Sequence, residues 1–321
     1  MKTKNTLLFS FLLLLLTIVA NAQAPRNFMF ISSDEIKPLE HVLKQEDIEG
    51  VQIVYNWKQL ENAKDQYDFS QIENDLRLLS VLHKKLFLQI QDRSFSIDKK
   101  NVPRYLLTDP DYKGGMTLQL DNPGENMPVA YGWVTMQWVP AVQLRFQNLL
   151  SALAKQFDGR IYGINLPETS IDINIKKAPA GFSCQKYFEA EMANMKFARK
   201  VFRKSYVVQY VNFFPCEWDN DHKFMSRLFQ TAKENGIGLG GPDIVPGKHA
   251  QLKNAYPFFN KYKRQLSLVA MAVQEPTLTY TNPKTKKPFT KEEFTSYAEN
   301  FLGVDIIFWS ASSPWIRSLT K

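Results

Sequence analysis

The sequence predicts a single (β/α)8 barrel. Three observations carry this reading: eight short apolar runs, amphipathic segments at helical spacing between them, and no glycine-rich turn after the first run. The runs cover 28–31, 51–55, 86–91, 161–165, 206–210, 237–240, 266–273 and 304–309. Most are apolar on consecutive residues rather than alternating. That marks strands covered on both faces, as in a parallel sheet.

The segments between the runs read as helices. Across 69–83, Ile72, Leu76, Leu79 and Leu82 recur near the helical period, and Asp68 with Gln71 has the spacing of a capping box. Across 142–157, Phe146, Leu149, Leu150, Leu153 and Phe157 form one stripe, with Gly159 beyond it as a stop. Phe188, Met192, Met195 and Phe202 do the same over 188–202, and such a stripe reads as core. A helix over 224–234 stops at Asn235-Gly236, and Thr290 with Glu293 opens another that runs to 301. Strand and helix repeated eight times suit a barrel better than an open doubly wound sheet. An open sheet would carry a glycine-rich phosphate loop after its first strand, where this chain has Ile31-Ser32-Ser33-Asp34-Glu35. One irregular stretch, 103–138, separates the third strand from its helix and reads as a long loop that shapes a site. The eighth strand is followed by only a dozen residues, so the last helix is expected to be short or missing.

The chain has 321 residues and a formal charge of +8. Lys2 and Lys4, an apolar run over 7–20 and Ala20-Asn21-Ala22 have the layout of a secretory signal peptide. The run of about 14 apolar residues falls short of the ~20 that span a bilayer, so no stable membrane insertion is expected after cleavage. The expected organisation is 1–22 as signal and 23–321 as one catalytic barrel, exported to the periplasm or beyond the cell. The remaining basic residues are scattered, and the densest cluster, Lys284 to Lys287, reads as a solvated loop rather than a nucleic-acid surface. An oxidising compartment would permit a bridge between Cys184 and Cys216, which the fold places on neighbouring loops; spacing alone leaves it open. The four histidines are isolated and no Cys/His cluster has metal-ligand spacing, so no cofactor or metal is expected.

In such barrels the reacting groups stand at the C-terminal ends of the strands. Those positions here hold carboxylates, amides and aromatic rings: Trp57, Gln91, Arg93, Asn165, Glu168, Asn212, Glu217, Asp243, Glu275 and Trp309. Hydroxyl-rich ligands need these groups. Amides and carboxylates hydrogen-bond hydroxyls, and the apolar face of a pyranose lies on an aromatic ring. Cleaving a glycosidic bond needs two carboxyl groups flanking it. Glu168 and Glu275 follow the fourth and seventh strands, so they can face each other across the mouth. Glu217 is the chief rival, and Asp243 reads as an orienting or sugar-binding group. Candidate sugar platforms are Trp57, Tyr112, Tyr131, Trp133, Trp138, Trp218, Tyr280 and Trp309, with Trp133 and Tyr131 favoured for the cleft wall. Arg93 could bind a sugar or hold Asp92 or Glu168 in place.

Three segments resemble the clan A glycoside hydrolases: Trp57 to Glu61 with Asp65 to Ser70, then Asn165-Leu166-Pro167-Glu168, then Gln274-Glu275-Pro276 with Trp309 at the eighth strand. The resemblance implies Glu168 as acid/base, Glu275 as nucleophile, Trp309 as a platform under the sugar, and retention of configuration on a β-linked oligo- or polysaccharide. The clan's Asn before the acid/base is replaced by Pro167, so either Asn165 or Asn212 makes that contact or the sugar is held differently. Retention would put the two carboxyl groups roughly 5–5.5 Å apart and inversion roughly 6.5–9.5 Å. Glu168 is expected to have a raised pKa from partial burial and the like charge of Glu275. The alternatives are a non-catalytic carbohydrate-binding barrel and a metal-dependent hydrolase; the last would need His and Asp at strand ends, and no His stands there.

Overall fold

Eight parallel strands close on themselves in the computed structural model, which describes residues 24–121, 129–179 and 181–317. The expected signal segment and residues 122–128 of the expected long loop lie outside the described residues. The strands are β1 (Arg26–Ile31), β2 (Ile48–Asn56), β3 (Lys85–Gln91), β4 (Gly163–Leu166), β5 (Tyr206–Tyr210), β6 (Gly238–Gly241), β7 (Val269–Val273) and β8 (Ile306–Ser310). Each pairs in parallel with its sequence neighbours, and β1 closes the ring against β8. All eight apolar runs are barrel strands. The run 266–273 becomes strand only from Val269, where Asp305 Oδ2 accepts the Val269 N–H at 2.7 Å.

The barrel is filled by side chains of alternate residues. Phe28, Phe87, Val208, Tyr210, Leu268, Ala270, Ala272, Ile306 and Phe308 form the interior cluster. Gly50 and Gly163 make room for its rings: a Cβ on Gly50 would collide with Phe28, and one on Gly163 with Phe87. Above this layer Gln52 Nε2 donates to Asn165 Oδ1 at 2.9 Å and to the Tyr210 hydroxyl at 2.6 Å. The other face of every strand packs against the helices in a second, larger core.

The longer helices are Ser70–Val81, Pro140–Phe157, Cys184–Val201 and Phe224–Asn235, and shorter ones include His249–Asn254, Tyr256–Tyr262 and Lys291–Tyr297. The Thr290/Glu293 capping box is present, and Gly236 ends its helix at φ 61°. The Asp68/Gln71 box is not formed. Asp68 Oδ1 accepts from the Ser70 N–H at 3.0 Å, and Gln71 turns to Asp75. The stretch 103–138 is more ordered than its composition suggests. It holds a helix, Arg104–Thr108, and an antiparallel hairpin of Met116–Asp121 with Val129–Thr135. The last element among the described residues is a four-residue helix, Pro314–Arg317, after β8. A disulfide joins Cys184 to Cys216 with Cα atoms 6.2 Å apart, tying the loops after β4 and β5 together.

The segment Trp57 to Phe69 has a structural role. Glu61 is fully buried and accepts from Trp57 Nε1 at 2.8 Å, from the Tyr105 hydroxyl at 3.0 Å and from the Asp65 N–H at 3.0 Å. Arg145, on the helix Pro140–Phe157, pairs with Glu61 and, at 2.8 Å, with Asp65. Removing one partner of a buried pair strands the other's charge. Arg145→Met is therefore expected to cost roughly 3–5 kcal/mol, read as a lower urea midpoint, with partial recovery in the Glu61→Gln/Arg145→Met double variant. A midpoint equal to that of the parent would contradict the clamp.

Candidate active site

Side chains alternate in and out along each strand, so the inward series also names the mouth. Phe28 and Phe30 face inward on β1, Phe87 on β3, Tyr210 on β5, Ala270 and Ala272 on β7, and Phe308 on β8. Continuing each series toward the C-terminal end gives Gln89 and Gln91, then Asn212, Gln274 and Ser310. Two cavities occupy this end. One, of about 470 Å³, lies over β3 to β7 and is lined by Gln89, Gln91, Phe95, Gln119, Tyr131, Glu168, Asp172, Asn212, Asp243 and Gln274, among others. The other, of about 510 Å³, lies over β8, β1 and β2 and is lined by Phe30, Ser32, Glu35, Val54, Glu275 and Ser312, among others.

Glu168 is partly buried just past β4. Burial pushes its carboxyl above the usual range; the charge of Arg93 opposes this, and that of Asp243 adds to it. The raised pKa agrees with the sequence reading. The prominent like charge, however, is Asp243 rather than Glu275. Asp243 accepts from Thr277 Oγ1 at 2.8 Å, with Lys248 Nζ 3.9 Å away. Asn212 accepts from Gln251 Nε2 and contacts Glu168. Glu275 is exposed and lines the second cavity, where its Oε1 accepts from Ser312 Oγ at 2.9 Å and from Ser310 Oγ. Glu168 and Glu275 thus stand at the same end of the barrel but line different halves of it.

Gln91, Glu168, Asn212 and Asp243 share the first cavity, as the sequence suggested. Other candidates lie elsewhere. Trp57 is fully buried against Phe146. Trp309 is also fully buried, stacked edge-on to Trp315 with its Nε1 donating to Asn27 Oδ1 at 2.8 Å. It belongs to the outward series of β8, so the inward neighbour Ser310 reaches the mouth instead. Trp133 donates to the Ile97 carbonyl at 2.8 Å and lies under Lys100, away from the cavity lining. Asn165 has the correct parity but sits one layer below, on Gln52. Tyr112 and Trp138 are core residues. Glu217 accepts the N–H groups of Phe224 and Met225, capping a helix.

Arg93 is buried and does not face a ligand. It pairs with Asp92 at 3.4 Å and donates to the Ser170 carbonyl, so it holds the loop that carries Glu168. Behind it Asn194 donates to Gln137 and Gln137 to Asp92, both at 3.0 Å. The aromatic wall of the cavity is Phe95 stacked on Tyr131, whose hydroxyl donates to Asp172 at 3.2 Å. Phe95, Gln119, Asp172 and Ser310 are not singled out by the sequence. Strand parity would have found Ser310. Gln119 gave no signal, because its hairpin reads as irregular loop.

No protein-family model and no curated protein matches the sequence. Solved structures do match its fold. The catalytic domain of β-amylase from Paenibacillus polymyxa superposes with a TM-score of 0.53 at 10% identity, covering 89% of this chain and 93% of that one. Xylanase B from Clostridium stercorarium F9 gives 0.51 at 12% identity, covering 89% and 86%. The β-galactosidase from the Antarctic haloarchaeon Halorubrum lacusprofundi gives 0.55 at 9% identity, covering 88% of this chain and 52% of that one. These likenesses establish a shared barrel.

Glu191 lies behind the site with Arg93, and burial pushes its carboxyl up to about 8, against the opposing charge of Arg93. An unfolded glutamate ionises near 4.3, so between these values the folded chain binds the extra proton. Stability is therefore expected to fall as pH rises from roughly 4.3 to 8 through this group. Glu191→Gln should flatten that part of the curve of urea midpoint against pH; an unchanged slope would contradict the shift.

Proposed function

We propose that the chain is an exported glycoside hydrolase that cleaves a β-linked oligo- or polysaccharide across the mouth of its barrel. The observation that carries this reading is the contrast between two carboxyl groups at one end of the fold. Glu168 is partly buried with a raised pKa, which suits a proton donor. Glu275 is exposed and held by serine hydroxyls, which suits a group that reacts as carboxylate. In this reading Glu275 attacks the anomeric carbon while Glu168 protonates the departing oxygen. Glu168 then takes a proton from water, the water oxygen bonds to the anomeric carbon, and Glu275 is released with retention. Phe95 and Tyr131 offer the ring faces, and Gln91, Asn212 and Asp243 offer hydrogen bonds. The likeness to glycoside hydrolase barrels supports the class of reaction. Lys2, Lys4 and the apolar run over 7–20 support export.

A second reading is favoured by one observation: the two glutamates line separate cavities, while Asp243 shares that of Glu168. A carbohydrate-binding barrel without turnover would have this arrangement as readily. A screen of chromogenic glycosides and plant or algal polysaccharides separates the two. Once a substrate is found, Glu168→Gln should lower kcat on a poor leaving group by roughly 10²–10⁴, and Glu275→Gln should abolish turnover with the fold intact. Proton NMR of the first-formed anomer should show retention. Wild-type-like turnover by Glu275→Gln would refute its role, and sugar binding with no turnover anywhere in the screen would favour the binding barrel.

A further inference from the structure

Two glutamines at the wall of the cavity over β3 to β7 each have one amide atom without a hydrogen-bond partner among the described residues. Gln89 is 7% exposed and Gln119 is 1% exposed, and both line the cavity. Among the described residues, neither Gln89 Oε1 nor Gln119 Nε2 has a hydrogen-bond partner. A buried polar atom without a partner costs free energy, so such atoms mark where a ligand's polar groups complete the site. The orientation of Gln119 is set from behind: its Oε1 accepts the Asp172 N–H at 3.4 Å, and the neighbouring Leu120 N–H donates to the Asp172 carbonyl at 2.8 Å. One unmet group is an acceptor and the other a donor. Sugar hydroxyls can fill either role, donating to the acceptor or accepting from the donor.

Charge narrows the ligand further. Glu168, Asp172 and Asp243 line this cavity, Glu35 and Glu275 line the adjoining one, and among the described residues that line either there is no Lys, Arg or His. The whole chain carries +8, so the acidic mouth runs against the overall charge. Arg93, the basic residue whose charge acts on Glu168, is 1% exposed and spent on Asp92 and the Ser170 carbonyl. A uronic carboxylate or sulfate in this cavity would meet Asp172 and Asp243, and the nearby cations, Arg93 and Lys248, are paired with Asp92 and Asp243.

We propose that Gln89 and Gln119 form a hydroxyl-reading subsite that selects an uncharged sugar residue, seated against Phe95 and Tyr131, and rejects anionic ones. This rests on the glycoside-binding reading of the cavity but not on catalysis. The test is titration calorimetry of the Glu275→Gln protein with cellotetraose, xylotetraose, mannotetraose, galactotetraose and tetragalacturonate, repeated with Gln89→Met and with Gln119→Met. At least one neutral tetrasaccharide should bind, and each Met substitution should weaken it at least tenfold, while tetragalacturonate should bind at least tenfold more weakly than that sugar. Circular dichroism melts report whether either Met variant is misfolded. Deoxy analogues of the bound sugar give a readout without a cavity variant. One deoxy position should lose affinity in the parent but lose no more in Gln119→Met.

Tetragalacturonate binding as tightly as the neutral sugars, unchanged affinity in both folded Met variants, or no binding by any tetrasaccharide would each overturn the proposal. Binding that obeys it without turnover in the wild-type protein would remove the hydrolase reading and leave the subsite standing.

Discussion

The two-residue alternation of a closed parallel barrel is the constraint on which the rest of the structure depends. Every strand gives one side chain to the interior and the next to the helix layer. With eight strands in fixed register, the residues that can reach the mouth are nearly determined once one inward residue per strand is known. Phe308 faces inward on β8, so Ser310 does too and Trp309 cannot. Ala272 faces inward on β7, so Gln274 follows it to the mouth, and Glu275 reaches the adjoining cavity only by leaving the strand. The same alternation fills the floor with phenylalanine rings that need Gly50 and Gly163 opposite them.

A second layer of organisation lies behind the cavity. Arg93 is too buried to serve a ligand, yet it acts on the site twice. Its charge restrains the pKa of Glu168, and its donation to the Ser170 carbonyl fixes the loop just beyond that residue. Asp92, Gln137 and Asn194 hold Arg93 in turn, so the set of the loop that carries Glu168 is carried back into the helix layer. The disulfide between Cys184 and Cys216 fastens the loops on either side of β5. A mouth built mainly on strand ends and braced loops is suited to hold groups in fixed positions.

The fold was largely legible because consecutive apolar residues and helical stripes are strong local signals, and all eight strands lie where those signals put them. The site was legible in part. Gln91, Glu168, Asn212 and Asp243 could be named because strand ends are where such barrels place chemistry. Aromatic residues misled. Tryptophan at a strand end suggests a platform, but Trp57 bonds to Glu61 and Trp309 packs under Trp315, both serving the core. The motif after β2 looked functional and is a buried clamp around Arg145. Gln119 was hidden for a different reason: a hairpin brings it to the cavity, where its strand meets Asp172 of the loop after β4, and pairing across such a hairpin leaves little trace in composition.

If Glu275, from the half of the mouth opposite Glu168, is the nucleophile, it carries the sugar as a covalent ester during turnover, and that intermediate can be trapped. The protein would be incubated with activated 2-fluoro glycosides of the neutral sugars it accepts, digested, and mapped by mass spectrometry. The account expects the fluoroglycosyl mass on the peptide containing Glu275, with fragmentation placing it on that side chain. A label on Asp243, which shares the cavity of Glu168, would contradict it, as would turnover of the 2-fluoro glycoside with no label on any carboxylate.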